Sequence, residues 1–128
     1  MSAEAELLEL SRKLLTSIDS GDWTTYASLC DTSITCFEPE ALGHLVVGLA
    51  FHKFYFDLPP STAKPAKQSS IASPNVRLMG DSAIVTYVRV VQKLDSSSAP
   101  LSSAAMETRI WQKTSSGWKH VHFHRTPC

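Results

Sequence analysis

Three arginines stand where arginine is hard to place. Arg89, Arg109 and Arg125 fall within or at the end of segments that read as β-strand. A guanidinium taken into such a segment needs acceptors for five N–H donors. Converging at the mouth of one cavity, the three would make an anion site whose planar forks suit a carboxylate. They read equally well as surface or interface arginines paired with Glu107, Glu38 or Glu40. In "FEPEA", Glu38 and Glu40 straddle Pro39, an arrangement open to a general base or to a turn with an acid at a helix start. His52 lies in a Phe-rich segment and reads first as a core-facing ring; with Glu38 and Glu107 it completes the candidates for an ionisable base. "HVHFHR" spaces His120, His122 and His124 by two, on one face of a regular strand. Two such imidazoles can reach one zinc ion, but no carboxylate or cysteine stands in register, so they read as hydrogen-bonding groups and no metal is expected. Cys30, Cys36 and Cys128 form no CxxC pair and are odd in number, which fits free thiols in a reducing, cytoplasmic compartment. No GxSxG, glycine-rich phosphate loop or HExxH occurs, and no cofactor is expected.

The elements that must position these groups follow from periodicity. Ala3, Leu7, Leu10, Leu14 and Ile18 predict a helix over residues 3–19, with Ser2 as N-cap and Gly21 as its end. Asp22 can cap a short second helix presenting Trp23, Tyr26 and Leu29. "TSITCFEPEA" turns extended, closed by Pro39. "ALGHLVVGLAFHKFYFDL" reads as one kinked helix or two short ones, its apolar phase slipping at Gly48. "PPSTAKPAKQSS" reads as a mobile surface loop. From Ile71 onward four strands form a meander, with Gly80-Asp81 as a type II′ turn and "TSSG" as the last connection. This order predicts an α+β domain over residues 1–128, a curved antiparallel sheet wrapped round the first helix as a half-open cone.

Twelve basic and twelve acidic residues balance, which argues against nucleic acid or an anionic membrane as partner. No apolar run approaches the length needed to span a bilayer. The informative feature is the strand "SAIVTYVRVVQ". One parity carries Ala83, Val85, Tyr87 and Val91, the other Ile84, Val88 and Val90, so neither face suits water. The next strand places Trp111 opposite Met106 and Ile110, and the last places Trp118 opposite Val121 and Phe123. The first helix covers one face only. Ile84, Val88, Val90, Met106, Ile110 and Phe123 are therefore expected to meet a second cover, either the helical segment 42–58 or, as the better reading, another copy of the chain.

"GDWTTYASLCD", "FEPEALGHLVVGLAFHKFYF", "VRLMGDSAIVTYVRVVQKLD" and "ETRIWQKTSSGWKHVHFHR" together resemble the association (hub) domain of calcium/calmodulin-dependent protein kinase II, from about Leu8 to Arg125. The resemblance implies the nuclear transport factor 2-like, or cystatin-like, fold. It also implies a non-catalytic module that assembles into two stacked rings, commonly dodecamers or tetradecamers, and can join kinase subunits bearing the same hub. The family's pocket implies roles for Arg89, Arg109, Arg125, His52 and Tyr26 in holding a carboxylate-bearing small molecule or an acidic or tyrosine-containing peptide. Val47 and Ala50 depart from acids usual in the family, and "DLPPSTAKPAKQ" from a loop that usually carries tryptophan. The alternative is a small-molecule-binding protein or an isomerase- or dehydratase-like enzyme using the same cone. Neither a nucleotide loop nor an HRD or DFG element is present, so no kinase activity is expected.

Overall fold

A computed structural model describes residues 1–59 and 66–128. Helix α1, Ala3–Ser20, begins where the Ser2 side chain accepts a hydrogen bond from the Ala5 amide and ends at Gly21, whose φ of 69° allows the left-handed cap. The Asp22 side chain accepts from the Thr25 amide and starts α2, Trp23–Leu29. Strand β1, Cys30–Phe37, follows directly. Both helices lie on the concave side of a six-stranded sheet ordered β2-β1-β6-β5-β4-β3, where β2 is Val46–Val47, β3 Lys67–Met79, β4 Ser82–Leu94, β5 Pro100–Thr114 and β6 Gly117–Pro127. Leu7, Leu14 and Leu15 of α1 are buried in one cluster with Ala83, Val85, Tyr87 and Trp111. Each large side chain buried there stabilises the fold by about 1.5–3 kcal/mol.

The β3–β4 hairpin turns at Gly80-Asp81 with Met79 opposite Ser82. Gly80 takes a positive φ of 63° and Asp81 does not, as a type II′ turn requires. Strand β3 begins at Lys67, four residues before the expected Ile71; residues 60–65 of the expected loop lie outside the described residues. Pro74 is tolerated because β3 is an edge strand, with its register shifted between Ala72 and Asn75.

Three expectations are corrected. The segment after Pro39 is not mainly helical: a 3-10 turn, Pro39–Ala41, leads to β2, which pairs antiparallel with β1, and only Ala50–Phe56 forms a helix, α3. Gly43 and Gly48, at φ of 89° and 85°, break the periodicity that suggested one helix. The sheet is mixed, because β1 runs parallel to β6. Finally, β6 is not a regular strand: Trp111 pairs with His120 and Ile110 with His122, leaving Val121 as an extra residue.

That bulge reverses which side chains face inward. Trp118 and His120 are buried before it, and Phe123 is buried after it, although regular alternation would turn Phe123 outward. Phe123 therefore belongs to the core and not to the expected interface. His122 and His124 likewise leave the face of His120, so the three histidines do not converge. The other interface candidates do lie on the convex face. Ile84, Val88, Val90 and Ile110 are half-buried, Met106 is 53% exposed, and none belongs to the core cluster or packs against it. Helix α3 does not roof them, since its Phe56 ring packs edge-on against Trp23 and tilted against Tyr26, and its His52 ring packs tilted against Phe123, on the concave side.

Candidate functional site

Strand alternation brings a charged network to the wide end of the cone. Tyr87 and Arg89 on β4, Glu107 and Arg109 on β5, and Phe123 and Arg125 on β6 all point inward, and Tyr87 stands opposite Glu107, itself opposite Arg125. Arg89, Arg109, Phe123 and Arg125, with the end of α1, Tyr26 of α2, the β1–β2 connection and α3, bound a cavity of about 310 Å³. Arg89, Arg109, Arg125, His52 and Tyr26 all line it, together with Glu38, Glu40 and Lys67. Glu107 stands behind them, buried.

The arginines carry their own counter-ions. Arg109, 1% exposed, donates Nε to the Tyr87 hydroxyl at 2.8 Å and Nη2 to Glu107 Oε1 at 2.9 Å, and its guanidinium lies 4.6 Å from the Phe123 ring centre. Tyr87 donates to the same Glu107 oxygen at 2.7 Å. Burial pushes the Glu107 carboxyl up, but the Arg109 charge, the Tyr87 hydrogen bond and Arg89 outweigh it and hold the group below the ordinary carboxylate range. Burial also works against the charge on Arg109, and Glu107 more than restores it. Arg89 donates Nε to Ser69 Oγ at 2.9 Å and Nη2 to Asp19 Oδ1 at 2.8 Å, with Nη1 3.7 Å from Glu107 Oε2. Arg125 pairs with Glu40 at 2.5 Å and lies 3.8 Å from Glu38.

Neutral rings fill the rest. Burial and then Arg109 drive His120 well below its usual value. Its Nε2 lies 3.4 Å from Arg109 Nη1, which can only donate, so Nδ1 carries the proton and faces Cys30 Sγ at 3.5 Å. His52 is lowered to about 4 by burial and Arg109, and burial keeps the Tyr26 hydroxyl protonated. Of the three candidate bases, Glu107 is therefore locked in its ion pairs and His52 is a weak base. Glu38 differs: burial and Glu40 raise its pKa, and its Oε1 has no hydrogen-bond partner among the described residues.

Sequence reasoning missed Asp19 and Lys67 as members of this network. Asp19 closes α1 and reaches Arg89 across the cone, a partnership 70 residues apart that no local pattern announces. It also missed Cys36, which alternation from Ile34 places inward, as it does Glu38 two residues later.

The family profile of the calcium/calmodulin dependent protein kinase II association domain matches residues 3–128. The chain belongs to that family. The delta subunit of calcium/calmodulin-dependent protein kinase type II from Oryctolagus cuniculus is 39% identical over 122 residues, 94% of this chain. The chain spans 23% of the length of that curated relative. Among solved structures, the C. reinhardtii calcium/calmodulin-dependent protein kinase II hub homology domain is 50% identical, covers 99% of both chains and superposes with a TM-score of 0.94. A nuclear transport factor 2-like protein from Cytophaga hutchinsonii, 19% identical over the whole of both chains with a TM-score of 0.77, shares the fold. The α+β cone is thus the nuclear transport factor 2-like architecture, and membership of the association-domain family implies oligomeric assembly. Among the described residues no helix is long and apolar enough to cross a membrane.

Proposed function

We propose that the chain is a non-catalytic hub that closes into a ring, two such rings stacking into a dodecamer, tetradecamer or larger homo-oligomer. The observation that carries this reading is the convex face of β4 and β5, where Ile84, Val88, Val90, Met106 and Ile110 form an apolar surface that no helix among the described residues covers. A second copy removes that surface from water at about 25 cal/mol per Å² of apolar area, less the cost of association. Kinase subunits carrying the same hub are the natural heteromeric partners, in the cytoplasm. Native mass spectrometry across nanomolar to micromolar protein tests the reading: a single large closed assembly persisting on dilution supports it, and a monomer at micromolar concentration overturns it.

The cavity serves in this reading as a separate regulatory pocket for a carboxylate-bearing small molecule or an acidic or tyrosine-containing peptide. Three of the five Arg109 donors are taken by Tyr87, Glu107 and His120, which leaves two for a ligand. Arg125 is more open, its side chain 23% exposed, and a ligand carboxylate would displace Glu40 from it. Titration of short aliphatic and aromatic carboxylates by calorimetry tests this: Arg125→Ala should weaken binding about tenfold, the loss of one charge-assisted hydrogen bond, with the mass of the assembly unchanged. Unaltered affinity would remove Arg125 from the pocket's recognition set.

A further inference from the structure

Beside the cavity, Cys36, Glu38 and His52 come together from two elements that share no sequence motif, Glu38 and His52 lining the cavity itself. Cys36 and Glu38 are two residues apart along the inward face of β1 and its continuation, and His52 is presented by α3. Their ligand atoms lie within 4.8 Å of one another, with His52 Nε2 3.8 Å from Cys36 Sγ and His52 Nδ1 3.7 Å from Glu38 Oε1. We propose that these three side chains form a binding site for a zinc-like divalent transition-metal ion, with a fourth coordination position open to the cavity.

Four observations support it. Thiolate, imidazole and carboxylate are the donor set that selects zinc over the hard cations calcium and magnesium. Bond lengths of about 2.3 Å to sulfur and about 2.0 Å to nitrogen place a tetrahedral S and N pair about 3.6 Å apart, close to the Cys36–His52 separation. Glu38 has a buried side chain, 9% exposed, whose Oε1 accepts no hydrogen bond among the described residues and lies 3.7 Å from the His52 ring. A thiolate and a carboxylate also balance a dication, leaving the loaded site neutral, which a dry interior demands. Arg109 and Arg125 stand nearby and oppose a cation, but Glu107 and Glu40 already neutralise them. Only one ring nitrogen of His52 can ligate, so the side chains must draw in by about 1 Å from their present span. Glu38 and His52 line the cavity, so the fourth ligand is water or a donor atom of whatever the cavity holds. The site would exist whether or not the protein assembles into rings.

Cobalt(II) is the direct probe, because cobalt bound to a thiolate gives a near-ultraviolet charge-transfer band and tetrahedral cobalt gives intense visible bands. Titrating the full chain, we expect both to saturate at one equivalent per protomer and to be displaced by zinc. Cys36→Ser should abolish the charge-transfer band, and Glu38→Gln or His52→Gln should weaken cobalt binding at least about tenfold. His122→Ala with His124→Ala should change nothing, as should Cys128→Ser. Absence of a thiolate band in the wild type overturns the proposal without recourse to any variant. So does a band that survives Cys36→Ser, or cobalt binding that follows His122 and His124.

Discussion

Strands β4 and β5 have two faces made by the same twenty-odd residues, and the two could hardly be handled more differently. The concave face buries charge: Arg89, Glu107 and Arg109 are at most 8% exposed, each held by named partners. The convex face is mostly apolar, with Ile84, Val88, Val90 and Ile110 around the Thr86–Thr108 pair, and leaves Met106 in solvent. In an isolated protein the reverse would be expected, since burying ions is costly and exposing aliphatic side chains wastes their transfer free energy. The inversion makes sense if the inner face is built to hold a polar cavity open and the outer face waits for another copy.

The comparison can be broken first at the bulge. Deleting Val121 takes out the extra residue but keeps His122 outward and Phe123 and Arg125 inward, so that variant should still unfold cooperatively. Inserting one residue between His122 and Phe123 should instead turn Phe123 and Arg125 outward and abolish the cooperative thermal transition; a normal transition from the insertion would mean the strand absorbs it in a wider bulge. Next in size is Arg109→Ala, which strands the Glu107 carboxylate in the interior and should cost about 3–5 kcal/mol in denaturant titration. Glu107→Gln with Arg109→Met should recover much of that loss.

A pH series addresses the neutral rings on the same face. His52 and His120 are held uncharged when folded, so the unfolded chain binds more protons once the pH drops below the ordinary histidine value of 6.5. Stability should be full above that pH and fall as it drops to about 4, where folded His52 also titrates, His52 alone accounting for a loss on the order of 3 kcal/mol. A flat stability profile between these limits would show that the rings are solvated. The convex face offers the smallest effect on the protomer and a clear one on mass. Val88→Glu should leave the far-ultraviolet circular dichroism unchanged and alter protomer stability by about 0.5 kcal/mol or less, while light scattering reports a smaller particle. A full-sized assembly would move the contact elsewhere.

What could be read from sequence was whatever short-range chemistry dictates. Ser2, Gly21 and Asp22 fix the limits of α1 and α2, and Gly80-Asp81 fixes a hairpin, because caps and turns depend on a few neighbouring residues. The double-faced apolar character of β4 was equally plain. The stretch from Leu42 to Leu49 misled, since its leucines and valines repeat at helical spacing while Gly43 and Gly48 adopt left-handed backbone that ends any helix. The bulge at Val121 left only an indirect trace: Trp118 and Phe123, both large and apolar, sit an odd number of positions apart and cannot share one face of a regular strand. The arginines were recognised as anomalous, but Asp19 was not, because its pairing depends on how α1 lies across the sheet.

The parallel seam between β1 and β6 bears on how the protein is made. Thr35 bonds His122 at a separation of 87 residues, so at roughly 5–20 residues per second the ribosome needs on the order of ten seconds to supply the second partner after the first. During that wait β1 has one flank that nothing in the nascent chain can satisfy, with Ile34 and Cys36 ready to stick to whatever is near. Holdase binding during synthesis should centre on this strand and cease once residues 117–127 clear the exit tunnel.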